Sequence, residues 1–162
     1  MTSMIRVEGE IDGYWAGPSG VASGILPFCT ITRRFCLAER SGVVHQGRCW
    51  STVGGACPQG ALPHASAIRE FREETHYQGS ITTLYLYSFT DGRFRYITYL
   101  GMVNREFDLP ADRAACWETT RLKWLTLSSI EKAIVAKPPL FHPGFIVMLQ
   151  RSRTTLSHLV DL

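Results

Sequence analysis

The sequence predicts a mixed α+β fold in which helices cover a sheet, and three observations lead there. A helix is legible in the middle of the chain, from Pro63 to about Thr75; a long β-hairpin follows it, from Ile81 to Val103; and the order strands, helix, strands, helix lacks the regular alternation of a βαβ series. The 162 residues are enough for one core, and 45% hydrophobic with 19% charged residues fits an ordered globular chain. One domain over residues 1–162 is expected, with residues 1–20 as an irregular lead-in.

That lead-in is dense in turn formers, Gly9, Gly13, Gly17, Pro18 and Gly20, with a short strand expected at Met4 to Val7. Val21 to Thr30 and Arg34 to Glu39 are apolar or β-compatible, and the polar Thr32-Arg33 between them reads as a hairpin connection. Ser41 to Arg48 is a polar loop, after which Trp50 to Val53 is a short extended segment running into Gly54-Gly55. Pro63 suits a first helical turn, because the N–H it lacks would have no partner there, and Ala65, Ala67, Ile68 and Phe71 carry the helix on to Thr75. Ile81 to Phe89 and Phe94 to Val103 are rich in Thr, Tyr, Ile and Phe and flank Asp91-Gly92, a favoured pair for a tight turn. Leu122 to Leu125 is expected as the last strand, Ser128 to Val135 as a short helix capped by its serine, and Pro143 to Leu159 as a longer helix with an apolar face.

Composition narrows the function classes. The formal charge is only +3, and the 17 basic residues are scattered apart from Arg33-Arg34 and the Arg151, Arg153 pair, so no nucleic-acid-binding stripe stands out. The cysteines, Cys29, Cys36, Cys49, Cys57 and Cys116, form no CxxC pair, which argues for free thiols rather than a zinc site or a disulfide framework. No apolar run of about 18 residues occurs, and the N-terminal residues lack a basic stretch followed by an apolar one. No membrane contact is expected, and a reducing cytoplasm is the expected compartment.

Chemistry concentrates on the central helix. Glu70, Glu73 and Glu74 stand at i, i+3 and i+4, so a helix projects them as neighbours, with Cβ atoms about 5–6 Å from that of Glu70. Like charges so placed repel, whereas a divalent cation turns the same cluster into a favourable oxygen-ligand site. Carboxylates without histidine or cysteine partners suit Mg²⁺ or Mn²⁺, and such ions usually work jointly with phosphate oxygens. Gly54-Gly55 lets the main chain approach a ligand closely just ahead of a helix N-terminus, which favours anions.

These residues resemble a known pattern. Gly55, five residues, position 61, seven residues, then Arg69-Glu70-Phe71-Arg72-Glu73-Glu74 and the closing Tyr77 keep the spacing of the Nudix box, GX5EX7REUXEEXGU with U apolar. Leu37 to Ser41 and Cys49 to Gly55 resemble the family's strand-loop-strand approach to the box, and Trp117 to Leu125 resembles its acidic residue followed by a Trp-bearing strand. The resemblance implies a Nudix-like α/β/α sandwich with a central mixed sheet. It implies metal binding by Glu70, Glu73, Glu74 and the Gly55 carbonyl, with Arg69 orienting the carboxylates and Arg40, Gly54 and Gly55 on the substrate side. It also gives Glu118 the role of a further ligand or of the base for water, with Glu106, Asp108 and Asp112 as rivals; Glu74 is the other candidate base.

Two positions depart from the pattern: Ala61 replaces the first glutamate, which lowers the expected turnover or raises the metal demand, and His76 replaces the second glycine. A non-glycine residue in a left-handed conformation costs roughly 1 kcal/mol, less for His and Asn than for branched residues. His45 and His64 read as solvated or structural, Trp50 and Trp124 as core, and Tyr85, Tyr87, Phe94, Tyr96 and Tyr99 as aromatics packing the sheet faces. The expected activity is metal-dependent hydrolysis of a diphosphate linkage in a small nucleotide, nucleotide sugar, ADP-ribose or dinucleoside polyphosphate. The alternatives are a nucleotide-sensing module of weak catalytic power, motivated by Ala61 and His76, and an RNA decapping enzyme. A homodimer is left open.

Overall fold

The computed structural model describes residues 5–6, 15–16, 19–41, 48–112 and 118–162. In chain order they form β1 (Ile5–Arg6), β2 (Trp15–Ala16), β3 (Val21–Cys29), β4 (Arg34–Arg40), β5 (Trp50–Ser51), β6 (Val53–Ala56), α1 (Pro63–Thr75), β7 (Thr82–Asp91), β8 (Phe94–Val103), β9 (Thr119–Leu125), α2 (Leu127–Ala136), α3 (Pro143–Arg151) and α4 (Arg153–Asp161). β1 and β2 pair with each other, and the other strands make one seven-stranded sheet.

β3 organises that sheet. Along its whole length it runs parallel to β8, which pairs antiparallel with β7. On its other side it changes partner: Ala22 to Ile25 pair with β6, and Phe28 and Cys29 pair with β4. β4 then carries β9 on its far side. The partner change lets β6 part from β4 and β9, and the candidate site lies at that parting.

Strand side chains alternate between faces, and here both faces are covered. Ile25, Cys29, Ala38, Val53 and Val103 pack with Ala67 and Phe71 of α1. Their alternates Leu26, Phe28, Phe35, Leu37 and Leu100 pack with Leu127 and Ile130 of α2, Phe145, Met148 and Leu149 of α3, and Leu156 of α4. The result is the expected α/β/α sandwich around a mixed sheet. Each large apolar side chain buried in it contributes roughly 1.5–3 kcal/mol, so the two packed faces hold the sheet that presents the site.

Several boundaries differ from the sequence expectation. The turn between β7 and β8 is Gly92-Arg93 rather than Asp91-Gly92, because Asp91 still pairs with Phe94 and Gly92 takes the positive φ of 56°. β9 starts at Thr119, since the ladder with β4 runs back to Arg40. α2 begins at Leu127 and is capped by Thr126, whose extended backbone lets its hydroxyl accept the Ser129 N–H at 3.1 Å; Ser128 lies inside the helix. The last helix is two, α3 and α4, divided at the buried Ser152. The turn Pro138–Leu140 was not expected, and it leads to Phe141, which bridges Trp50, while the His142 ring accepts the Gly144 N–H to cap α3. Of the strand expected at Met4 to Val7, Ile5–Arg6 form β1, and Met4 and Val7 lie outside the described residues. Residues 42–47 of the polar loop, including His45, and Cys116 and Trp117 lie outside the described residues. Among the described residues no helix is long and apolar enough to cross a membrane.

Candidate metal centre

α1 meets β3 and β6 so that its carboxylates face the strand carrying the paired glycines. Gly55 pairs with Ser23 in the β3–β6 ladder, and the Glu70 carboxyl group lies so close that a Cβ built on Gly55 would stand 3.3 Å from its Cδ. A side chain there would push the carboxylate back by a few tenths of an ångström, and glycine lets it approach the main chain fully. At the far side of the site, β4 ends in a bulge between Glu39 and Arg40, and the Ser41 N–H donates to the Glu118 carbonyl at 2.9 Å. This ties Glu118, at the foot of β9, to the end of β4.

Glu70, Glu74 and Glu118 each offer one carboxylate oxygen to a cluster whose atoms lie within 4.8 Å of one another. Glu74 is 9% exposed. Burial pushes its pKa well up, and the hydrogen bond and negative charge of Glu118 together with the charge of Glu70 add to the rise, against the opposing charge of Arg40. Burial also raises the pKa of Glu70, opposed by Arg69. Carboxylates crowded this closely repel unless a proton or a cation lies between them, and a divalent cation does that work without a proton. All-oxygen donors crowded this closely fit a hard dication and suit zinc poorly.

Glu73 is not gathered into this cluster. On an ideal helix it lies about 60° to one side of Glu70 while Glu74 lies about 40° to the other. It faces Arg69 instead, with both carboxylate oxygens 3.3 Å from Nη1, while Arg69 Nη2 reaches Glu70 at 3.3 Å. Exposed i,i+4 pairs of this kind contribute only ~0.3–0.5 kcal/mol, so the contact is easily given up. Arg40 sits where its charge acts on Glu74 and Tyr96. Gly54 pairs with Gly24 beneath the site.

None of the rival bases, Glu106, Asp108 and Asp112, is part of that cluster. Glu106 is ion-paired with Arg34, and Asp108 accepts the Leu109 N–H. The ring of the exposed His64 packs on Tyr99 and bonds to Thr83. Ala61 is exposed in the turn closed by its own N–H to Pro58, and it offers no carboxylate to Arg69. His76 adopts the left-handed conformation expected of it, with φ 58° and ψ 16°, and its N–H caps the helix at Arg72. One residue at the site was read from the sequence only as a sheet aromatic: Tyr96, which bonds to Thr52 and feels the charges of Arg40 and Glu74.

Residues 18–145 match the family described as the NUDIX domain. A relative from Mycobacterium tuberculosis, provisionally named 8-oxo-dGTP diphosphatase 3, is 29% identical over 166 residues, covering 92% of this chain and 72% of the relative. Among solved structures, RenU, a Nudix hydrolase from M. smegmatis, superposes with a TM-score of 0.63 at 19% identity, covering 90% of this chain and 89% of the other. A C. elegans Ap4A hydrolase, solved as a binary complex, gives a TM-score of 0.59 at 21% identity, covering 87% and 99%. At those identities the likeness to the solved structures is one of fold.

Proposed function

This chain belongs to the NUDIX family of hydrolases, and from that premise we propose that it cleaves the diphosphate linkage of a nucleoside-diphosphate compound with the help of Mg²⁺ or Mn²⁺. The observation that carries the reading is the gathering of Glu70, Glu74 and Glu118 within 4.8 Å beside the open main chain of Gly55. Those three carboxylates and the Gly55 carbonyl would hold the ion, and Glu73 would complete the set by leaving Arg69. When bound, the ion offsets the charge of the diphosphate oxygens and acidifies the attacking water.

The residues then divide the work. A carboxylate oxygen of Glu74 or Glu118 accepts the proton of the water, and both lie in the cluster within 4.8 Å. Arg69, bonded to Glu70, orients that carboxylate. Arg40, whose charge acts on Glu74, supplies positive charge to the phosphate side, with Gly55, and by the family resemblance Gly54, on the substrate side. The name of the mycobacterial relative supports a purine nucleoside triphosphate as the compound to try first. The four described cysteines are free and three are buried, which supports a reducing, cytoplasmic setting.

A second reading, a module that binds a nucleotide without cutting it, is favoured by one feature, the missing carboxylate at Ala61. Purified protein incubated with 8-oxo-dGTP, dGTP, Ap4A, ADP-ribose and nucleotide sugars, with Mg²⁺, Mn²⁺ or EDTA, separates the two. Metal-dependent cleavage of one of these, lost in Glu73→Gln and Glu74→Gln, is the expected outcome. If none is cut while one raises the melting temperature, the binding module is the correct reading.

A further inference from the structure

Tyr96, Thr52 and Gly24 have no part in the roles assigned above. On β8, Tyr96 packs with Ala22, Phe89 and Phe94 and against Val147 of α3, on the face of the sheet opposite α1. Its hydroxyl nevertheless reaches across β3 to the Thr52 hydroxyl, at 3.2 Å, next to β6. The path is open because Gly24 and Gly54, direct partners in the β3–β6 ladder, carry no side chain. A Cβ at Gly54 would stand 2.9 Å from the phenol oxygen, and one at Gly24 would collide with it.

β6 needs such a brace. It is four residues long, contains both glycines of the Gly54-Gly55 pair, and among the described residues takes ladder hydrogen bonds from β3 alone. Glycines weaken a strand by their freedom in the unpaired state. The same strand presents Gly55 to Glu70 on its other face. Tyr96 and the metal centre thus grip one segment from opposite sides of the sheet, close enough for the charges of Arg40 and Glu74 to act on the phenol.

We propose that Tyr96 is a positioning residue of the metal centre: through Thr52 its hydroxyl fixes the segment from Thr52 to Gly55 against β3, and so sets how closely the Gly55 main chain approaches the Glu70 carboxyl group. The inference rests on the metal-dependent reading given above. Loss of the phenol–hydroxyl bond loosens the segment and weakens the ion's hold by the worth of one hydrogen bond, roughly three- to tenfold. Tyr96→Phe keeps the ring and its packing, and Thr52→Val removes the same bond from the other end.

The test is Mn²⁺ binding followed by electron paramagnetic resonance, with melting temperatures, on the wild type, Tyr96→Phe, Thr52→Val and the double variant. Tyr77→Phe serves as the control, since it removes a buried phenol's bond to the Ser80 carbonyl away from the cluster. Tyr96→Phe and Thr52→Val should each weaken Mn²⁺ roughly three- to tenfold, the double variant should be no worse than Tyr96→Phe alone, and Tyr77→Phe should lower the melting temperature without changing Mn²⁺ affinity. If both site variants melt earlier but hold Mn²⁺ as the wild type does, the phenol is a packing residue only and the inference is overturned. Should Tyr96→Phe fail to fold, Thr52→Val decides alone. A wild type that takes up no Mn²⁺ removes the metal-dependent reading itself, a result distinct from normal uptake that the variants leave unchanged.

Discussion

Glu74→Gln is expected to lower hydrolysis by about two to four orders of magnitude and, in the absence of metal, to raise the melting temperature. Both effects have one cause. Glu74 is buried beside Glu118 and Glu70, an environment that disfavours its charged form. Its pKa in the folded protein is therefore raised above that of the unfolded chain, so the folded state binds a proton that the unfolded state gives up. That stability is fully present below the pKa of the unfolded carboxyl group, near 4.5, and is lost as pH rises through the elevated folded value. The metal-free wild type should thus melt at progressively lower temperature as pH increases over this window. Glu74→Gln should flatten the dependence, because the amide has no proton to lose. Mn²⁺ should restore the wild type's stability at neutral pH and do little for the variant. Thermal melts from pH 4 upward, with and without Mn²⁺, read all of this; a metal-free wild type that gains stability across the window contradicts the assignment.

Gly54→Ala should be the most damaging small substitution in the sheet. The added Cβ would meet the Ser23 carbonyl and stand 2.6 Å from the Gly24 Cα, atoms of the neighbouring backbone that cannot swing aside. Relief requires opening the β3–β6 ladder, so the cost is put at about 3 kcal/mol or more, a fall in melting temperature of roughly 6–12 °C for a chain of this size. Gly60→Ala is the comparison. It meets open space and suffers only from φ 78°, a strain worth about 1–2 kcal/mol. Denaturant unfolding of the two variants ranks them, and a Gly54→Ala protein as stable as Gly60→Ala would mean that the strands are not packed as described.

Features set by neighbours in sequence were legible in the sequence. Pro63 marks the start of α1, a richness in Thr, Tyr, Ile and Phe marks β7 and β8, and helical spacing places Glu70 and Glu74 on one face. Features set by pairing between strands were not. The β7–β8 turn is placed by the Asp91–Phe94 pair, which shifts it one residue from the dipeptide that suggests it. The division at Ser152 is hidden because Leu149, Ser152 and Leu156 are all buried, so an apolar periodicity runs through the break almost unchanged. Thr126 and Ser128 are both N-cap residue types, and only the extended backbone of Thr126, which lets its hydroxyl accept the Ser129 N–H, decides between them.

The site divides along the same line. Three glutamates on one helix look equivalent in the sequence, yet the rotation between i+3 and i+4 sends Glu73 to Arg69 and Glu74 to Glu118. Glu118 is brought in by the β4–β9 ladder from far along the chain, and only the resemblance to a family pointed to it. Tyr96, Gly24 and Gly54 come from three separate strands, and nothing in their spacing joins them.

The central claim is that Glu70, Glu74 and Glu118 form one cation site, and anomalous diffraction from crystals grown with Mn²⁺ tests it most directly. A single strong peak bonded to carboxylate oxygens of all three, beside the Gly55 main chain, is the predicted result. Saturating Mn²⁺ that leaves these carboxylates without a peak, or binds away from them, would contradict it.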